Sequence, residues 1–180
     1  DCHTRAACAP QSPEINPWQA LPSARLGSTV AAPFYPLSYM ADETSLLLLK
    51  PDAIAKNLAG EVLQRLLAEG FRIRGIKMLQ LTDELLKEHY SHIADRPFFP
   101  EVAGFMKSKP VIALALAGEN VIAHVRDLLG PTDSKAAPKG TIRGDFGDDM
   151  MINVVHASDS PEAAAAELKR FFKDGEVFDL

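Results

Sequence analysis

Two uninterrupted apolar runs, Leu46 to Leu49 and Val111 to Ala117, set the first limit on what this chain can become. Both are strand-sized, far short of the ~20 apolar residues a membrane-spanning helix needs. Around them the hydrophobic period alternates. Thr44 to Leu49 reads as a strand, and Leu58 to Glu69 has helical spacing closed by Gly70. Phe71 to Leu81 alternates as a second strand. Thr82 opens a helix through Leu85, Leu86 and Tyr90, with Asp83 and Glu84 suited to its positive end. Pro100 to Lys107 adds a short helix, Val111 to Leu116 a buried strand, and Asn120 to Leu129 a helix stopped by Gly130-Pro131. Ile152 to Val155 is the last strand. The order β, α, β, α, α, β, α, β, α fits two interlocked split βαβ units: an α+β sandwich with a four-stranded antiparallel sheet and helices on one face.

This pattern begins only after Met40. Residues 1–39 carry six prolines and no sustained period, so they read as an unfolded or loosely docked extension, and residues 40–180 as the domain. Met40-Ala41-Asp42-Glu43 looks like an ordinary protein start, which makes translated upstream sequence the leading account of the extension. A transit peptide is its rival, because the stretch is poor in acids and carries Arg5 and Arg25. Cys2 and Cys8 both precede the folded pattern, so no disulfide framework or thiolate metal site organises the core, and a reducing, cytoplasmic setting fits. A net charge of −5 argues against a dedicated nucleic-acid surface and leaves room for a few cations focused on a small anion.

The chemistry concentrates where the last strand ends. His156 follows an apolar run and is followed at once by a helix start: Ser160 as N-cap, Pro161 at the first position and Glu162 in the first turn, leading into Ala163 to Phe172. Glu167, two turns into that helix, can reach one imidazole nitrogen. The other nitrogen then keeps a free lone pair, which is how a nucleophile is mounted. Lys50 at a strand end, with Arg96, Arg126, Thr132 and Arg143 in connecting segments, supplies cations and a hydroxyl. Several such groups converging on a nucleophile are what phosphoryl transfer asks of a protein.

Three other patterns carry less. Lys139-Gly140-Thr141 has phosphate-loop residue types in the wrong order, and Asp145-Phe146-Gly147 matches a protein-kinase triplet without its catalytic loop. His89 and His92 are three apart on one helix and could share a metal, but no third or fourth ligand stands near them in sequence. They read as solvated or supporting residues.

Taken together, Lys50-Pro51-Asp52, Tyr90, Arg96-Pro97-Phe98-Phe99, Gly130-Pro131-Thr132, Gly140-Thr141-Ile142-Arg143-Gly144-Asp145-Phe146 and Asn153-Val154-Val155-His156-Ala157-Ser158-Asp159-Ser160 resemble, in order and spacing, the nucleoside diphosphate kinases. The resemblance runs from about Glu43 to Phe172. It implies a ferredoxin-like domain and a ping-pong reaction, in which a nucleoside triphosphate phosphorylates His156 and the phosphohistidine rephosphorylates a different diphosphate. It further implies that Nδ1 of His156 is the nucleophilic atom, with Glu167 on the other nitrogen and Ser158 supporting that carboxylate. Lys50 would contact the transferred phosphoryl group and the ribose, aided by Tyr90, and Asn153 would meet the sugar. Arg126, Thr132 and Arg143 would hold the phosphates and Phe98 would stack on the base. An aromatic face binds any base, so broad nucleotide tolerance is expected. Mg2+ would arrive on the nucleotide without a direct protein ligand. The resemblance also implies a homo-oligomer, tetramer or hexamer.

Three positions depart from the family's habit. Ala157 stands where glycine is usual, adding a methyl beside the nucleophile and removing access to positive φ. Ser134 replaces a loop proline important for subunit contacts, and the chain stops at Leu180 after a short tail, as in bacterial members. Two other functions use parts of the same pattern. One is a non-catalytic nucleotide-binding or regulatory module, which would leave the histidine idle; the other is a nucleic-acid-binding protein, which the net charge opposes.

Overall fold

The computed structural model describes residues 42–180, and the proposed extension 1–39 lies outside the described residues. The elements run β1 (Glu43–Leu49), α1 (Pro51–Ala55), α2 (Ala59–Ala68), β2 (Arg72–Leu79), α3 (Asp83–His89), α4 (Phe99–Lys107), β3 (Val111–Gly118), α5 (Val121–Leu129), α6 (Ile142–Phe146), β4 (Val155–Ala157) and α7 (Pro161–Phe171). The four strands lie in the order β2-β3-β1-β4, every pair antiparallel. That is the ferredoxin-like α+β arrangement of interlocked βαβ units.

Helices cover both faces of the sheet, which corrects the one-face expectation. Leu47, Leu49, Leu114 and Leu116 pack with α1, α2, α5 and α6 through Ala53, Val62, Leu66, Val125 and Ile142. Their alternate neighbours Leu46, Leu48, Ala113 and Ala115 pack with α3, α4 and the end of α7 through Leu86, Phe99, Met106 and Phe171. An apolar run with no polar alternation is the signature of a strand buried on both sides, so Leu46 to Leu49 already contained this result.

The caps fall where their chemistry requires. Thr82 Oγ1 accepts the Leu85 N–H at 3.2 Å and Ser160 Oγ accepts the Ala163 N–H at 3.1 Å. Gly70 and Gly130 close α2 and α5 at φ 83° and 78°.

Two short helices and one boundary differ from the sequence reading. α1 and α6 are single turns too short to show a period. Thr141 caps α6 by accepting the Gly144 N–H at 3.1 Å, and Asp145 of the kinase-like triplet takes Arg65 Nη1 at 2.7 Å. Both sequence decoys are thus structural loop chemistry. The last strand starts at Val155, not Ile152, because Asp149 Oδ1 accepts the N–H groups of Met151 and Ile152, each at 2.8 Å. Those amides are spent on a turn before the ladder begins.

Candidate active site

β4 is only three residues long, yet its pleat sets the site. Val155 and Ala157 face the α2/α5 side, so His156 points to the opposite face, directly across from Leu48. There α7 brings Glu167 and α3 brings His89. His156 Nε2 lies 3.0 Å from Glu167 Oε1, and Ser158 Oγ donates to Glu167 Oε2 at 2.5 Å. The same Oγ accepts the Leu46 N–H at 3.2 Å, which ties the relay to the central strand. Burial pushes the Glu167 carboxyl up, but hydrogen bonding and charge from His156, with the Ser158 hydroxyl, outweigh it and leave the group below its ordinary value. An ionised Glu167 accepts the Nε2 proton, so the imidazole lone pair is on Nδ1.

The backbone before His156 is strained and firmly held. The Val155 N–H donates to the Asn153 carbonyl at 2.8 Å, closing a γ-turn about Val154, whose φ is 72°. A β-branched residue there costs on the order of 1–3 kcal/mol. Asp52 Oδ2 accepts the Val154 N–H at 2.8 Å, and the Lys50 N–H donates to the Val154 carbonyl at 2.9 Å. The turn brings Asn153 Oδ1 within 2.6 Å of Lys50 Nζ, while Asn153 Nδ2 donates to the Thr132 and Met150 carbonyls at 2.9 and 2.8 Å. Positive φ is therefore taken at Val154 and not at Ala157, which sits in the β4 ladder opposite Leu47. The alanine in place of glycine costs no backbone strain there.

Lys50, Tyr90, Phe98, Arg126, Thr132, Arg143, Asn153, His156 and Glu167 all line one cleft of about 1020 Å3. Ser158 stands behind it, buried. Arg96 is exposed and is not among the lining residues. Arg143 Nη1 and Nη2 donate to the Gly130 and Val155 carbonyls, each at 2.8 Å, while its Nε is buried with no partner. Among the described residues no carboxylate lies within ion-pair distance of Lys50, Arg126 or Arg143. Burial pushes the Lys50 ammonium down to about 8, partly offset by Asp52 and reinforced by Arg143. Burial, with the charge of Arg126, pushes Arg143 down to about 10, which leaves it cationic at neutral pH. Burial, aided by Glu167, holds the Tyr90 phenol up at about 12. Three cations facing one cleft, none of them ion-paired with a carboxylate, favour an anionic ligand.

Sequence spacing did not reveal two residues. Asp52 pins the strained turn, and its place beside Lys50 and Pro51 was the available signal. His89 is buried against the His156 ring, centroids 4.6 Å apart, while His92 is exposed. Burial, with the nearby charge of His156, pushes His89 down to about 3, so it is neutral.

A sequence model of the family described as Nucleoside diphosphate kinase matches residues 43–177. The chain belongs to the nucleoside diphosphate kinase family. It is 47% identical over 137 residues to the nucleoside diphosphate kinase of Parabacteroides distasonis, covering 76% of this chain and 90% of that one. Its fold superposes on a crystal structure of the Aquifex aeolicus nucleoside diphosphate kinase with TM-score 0.72 and 45% identity, covering 76% of this chain and 99% of that one. For the Halobacterium salinarum nucleoside diphosphate kinase in complex with CDP the values are 0.75, 38%, 77% and 93%. The activity is transfer of the γ-phosphate of a nucleoside triphosphate to a nucleoside diphosphate, by a ping-pong route through a phosphohistidine. This sets aside the idle-histidine module.

Proposed function

We propose that His156 is the residue that carries the phosphoryl group. The supporting observation is the relay from His156 Nε2 to Glu167 and on to Ser158, which leaves Nδ1 as the nitrogen with a lone pair. In the first half-reaction Nδ1 attacks the γ-phosphorus and the bond to the β,γ-bridging oxygen breaks, releasing the diphosphate. In the second, a terminal oxygen of another diphosphate attacks the same phosphorus and the P–N bond breaks. Glu167 compensates the positive charge that develops on the ring.

The other assignments rest on lining and charge. Arg126, Thr132 and Arg143 hold the phosphates, and the unpartnered Arg143 Nε has a donor to give. Lys50 meets the transferred group and the ribose, Tyr90 adds a phenol that stays protonated, and Asn153 reaches the sugar. Phe98, 50% exposed in the cleft lining, offers its ring to a base of any identity. CDP bound to the Halobacterium salinarum relative supports a nucleoside diphosphate as ligand.

Mg2+ is the cofactor assigned, carried on the phosphates. It prefers oxygen ligands and retains several waters, and Asp149 and Asp159 in the lining suit those waters better than direct coordination. Bound there it would neutralise phosphate charge. The active unit is residues 40–180 and the compartment cytoplasmic; among the described residues no helix is long and apolar enough to cross a membrane. A homo-oligomer, tetramer or hexamer, is supported by the edge strand β2, whose Ile76 and Met78 are 52% and 59% exposed.

Incubation with γ-labelled ATP, then gel filtration, should leave acid-labile, base-stable phosphate on the protein and on a chain starting at Met40. A His156→Ala protein that labels normally would remove His156 from this role.

A further inference from the structure

His89 is the one buried polar group of the cleft that phosphoryl transfer leaves unused. It ends α3, its side chain is 1% exposed, and neither ring nitrogen has a hydrogen-bond partner. A neutral imidazole carries one donor and one acceptor, and burying either unmet is unfavourable. Its Nδ1 lies 3.7 Å from Glu167 Oε1, the oxygen that His156 Nε2 meets at 3.0 Å. One ligand atom from each of the three residues falls within 4.8 Å of the others. Tetrahedral zinc, with ligands at about 2.0–2.1 Å, holds neighbouring ligand atoms roughly 3.4 Å apart. The separations of 3.0 and 3.7 Å from Glu167 Oε1 to His156 and His89 bracket that spacing.

We propose that His89, Glu167 and His156 form a binding site for a zinc-class divalent cation, and that occupancy of this site switches the nucleophile off. Two imidazoles and one carboxylate suit zinc, copper or nickel far better than magnesium. The second carboxylate oxygen is already fixed by Ser158, the kind of outer hydrogen bond that orients a ligating carboxylate. The ligands missing beside His89 in sequence, His156 and Glu167, come from β4 and α7.

The off-switch follows from proton placement, and this clause rests on His156 being the phosphoryl carrier. The active ring holds its single proton on Nε2, facing Glu167, with the lone pair on Nδ1. Zinc takes a lone pair on Nε2. The Nε2–H bond breaks, the proton is taken up at Nδ1, the Zn–Nε2 bond forms, and the ion releases bound water. The ring's proton count is unchanged. Nδ1 now bears hydrogen and has no lone pair for phosphorus.

The test uses the full chain carrying Cys2→Ser and Cys8→Ser, so that thiolates cannot compete. In equilibrium dialysis against Zn2+ alone, with Mg2+ present and no nucleotide, one zinc per chain is expected. Co2+ in its place should give the intense visible band of a four-coordinate nitrogen and oxygen site. His89→Phe should weaken zinc binding at least tenfold, whereas His92→Ala should leave it unchanged. Absence of stoichiometric zinc and of the cobalt band overturns the site with no further variant needed. Equal affinity in a His89→Phe protein with a normal circular dichroism spectrum overturns it as well. Labelling with γ-labelled ATP separates the two ideas. No label on metal-free protein rejects His156 as carrier while dialysis still reports on the site. Undiminished label with zinc bound rejects the off-switch; a tenfold or greater loss supports it.

Discussion

Asp52 Oδ2 accepts the Val154 N–H at 2.8 Å, joining the first turn after β1 to the turn before β4 across 102 positions of sequence. Through that bond a buried carboxylate holds Val154 at φ 72° and so aims both Asn153 and His156. The other oxygen, Oδ1, is buried without a partner, so the group is committed to this contact.

Asp52→Ala should therefore lower stability by about 1–3 kcal/mol, the cost of leaving a buried amide unmet. It should also reduce kcat more than it raises KM. Asp52→Asn retains an acceptor and should recover most of the stability. Urea unfolding and steady-state exchange on the two variants check this; equal behaviour of both would assign the effect to charge and not to the turn.

Glu167→Gln keeps an acceptor for His156 Nε2 and removes the charge. Hydrogen bonds to charged groups contribute about 1.5–3 kcal/mol, so turnover should fall roughly ten- to a hundredfold. The rate of phosphoenzyme formation in a single turnover is the measurement.

Arg143→Ala should cost roughly 3 kcal/mol of transition-state stabilisation, about a hundredfold in rate. Arg143→Lys should not rescue it. One ammonium cannot span the Gly130 and Val155 carbonyls, both 2.8 Å from different guanidinium nitrogens, and still face a phosphate. Comparable kcat/KM for Lys and Arg at this position would contradict the role.

Lys50 is lowered from 10.5 to about 8. With nucleotide absent, its charge is lost as pH rises through about 8, so kcat/KM should fall on that alkaline limb. The stability sign is opposite. Between about 8 and 10.5 the unfolded chain binds the extra proton, so stability rises with pH in that window. Lys50→Met should be the more stable protein at pH 7, and the difference should shrink as pH passes through the window. Denaturant titrations at pH 7 and above 10 would show it.

Much of this was legible in order and spacing. Ser160-Pro161-Glu162 announced α7, Gly130-Pro131 ended α5, and the Lys50 to His156 motifs contain seven of the nine expected residues that line the cleft, with Arg126 and Glu167 lying outside them. The misses have local causes. α1 and α6 are too short for a period, and Ile152 is apolar yet spends its amide on Asp149 Oδ1. Both faces of β1 were readable in its unbroken leucines, but which helices cover each face was not.

The sequence by itself determined the elements, their caps and the residue types of a phosphoryl-transfer site, because these depend on neighbours within a few positions. Tertiary structure alone decided that His89 abuts His156, that one oxygen of Glu167 lies near both rings, and that Asp52 holds Val154 in a conformation valine disfavours. Those facts depend on residues far apart in the chain meeting in a packed interior, where strain and unmet polar groups persist only because the surrounding contacts outweigh them.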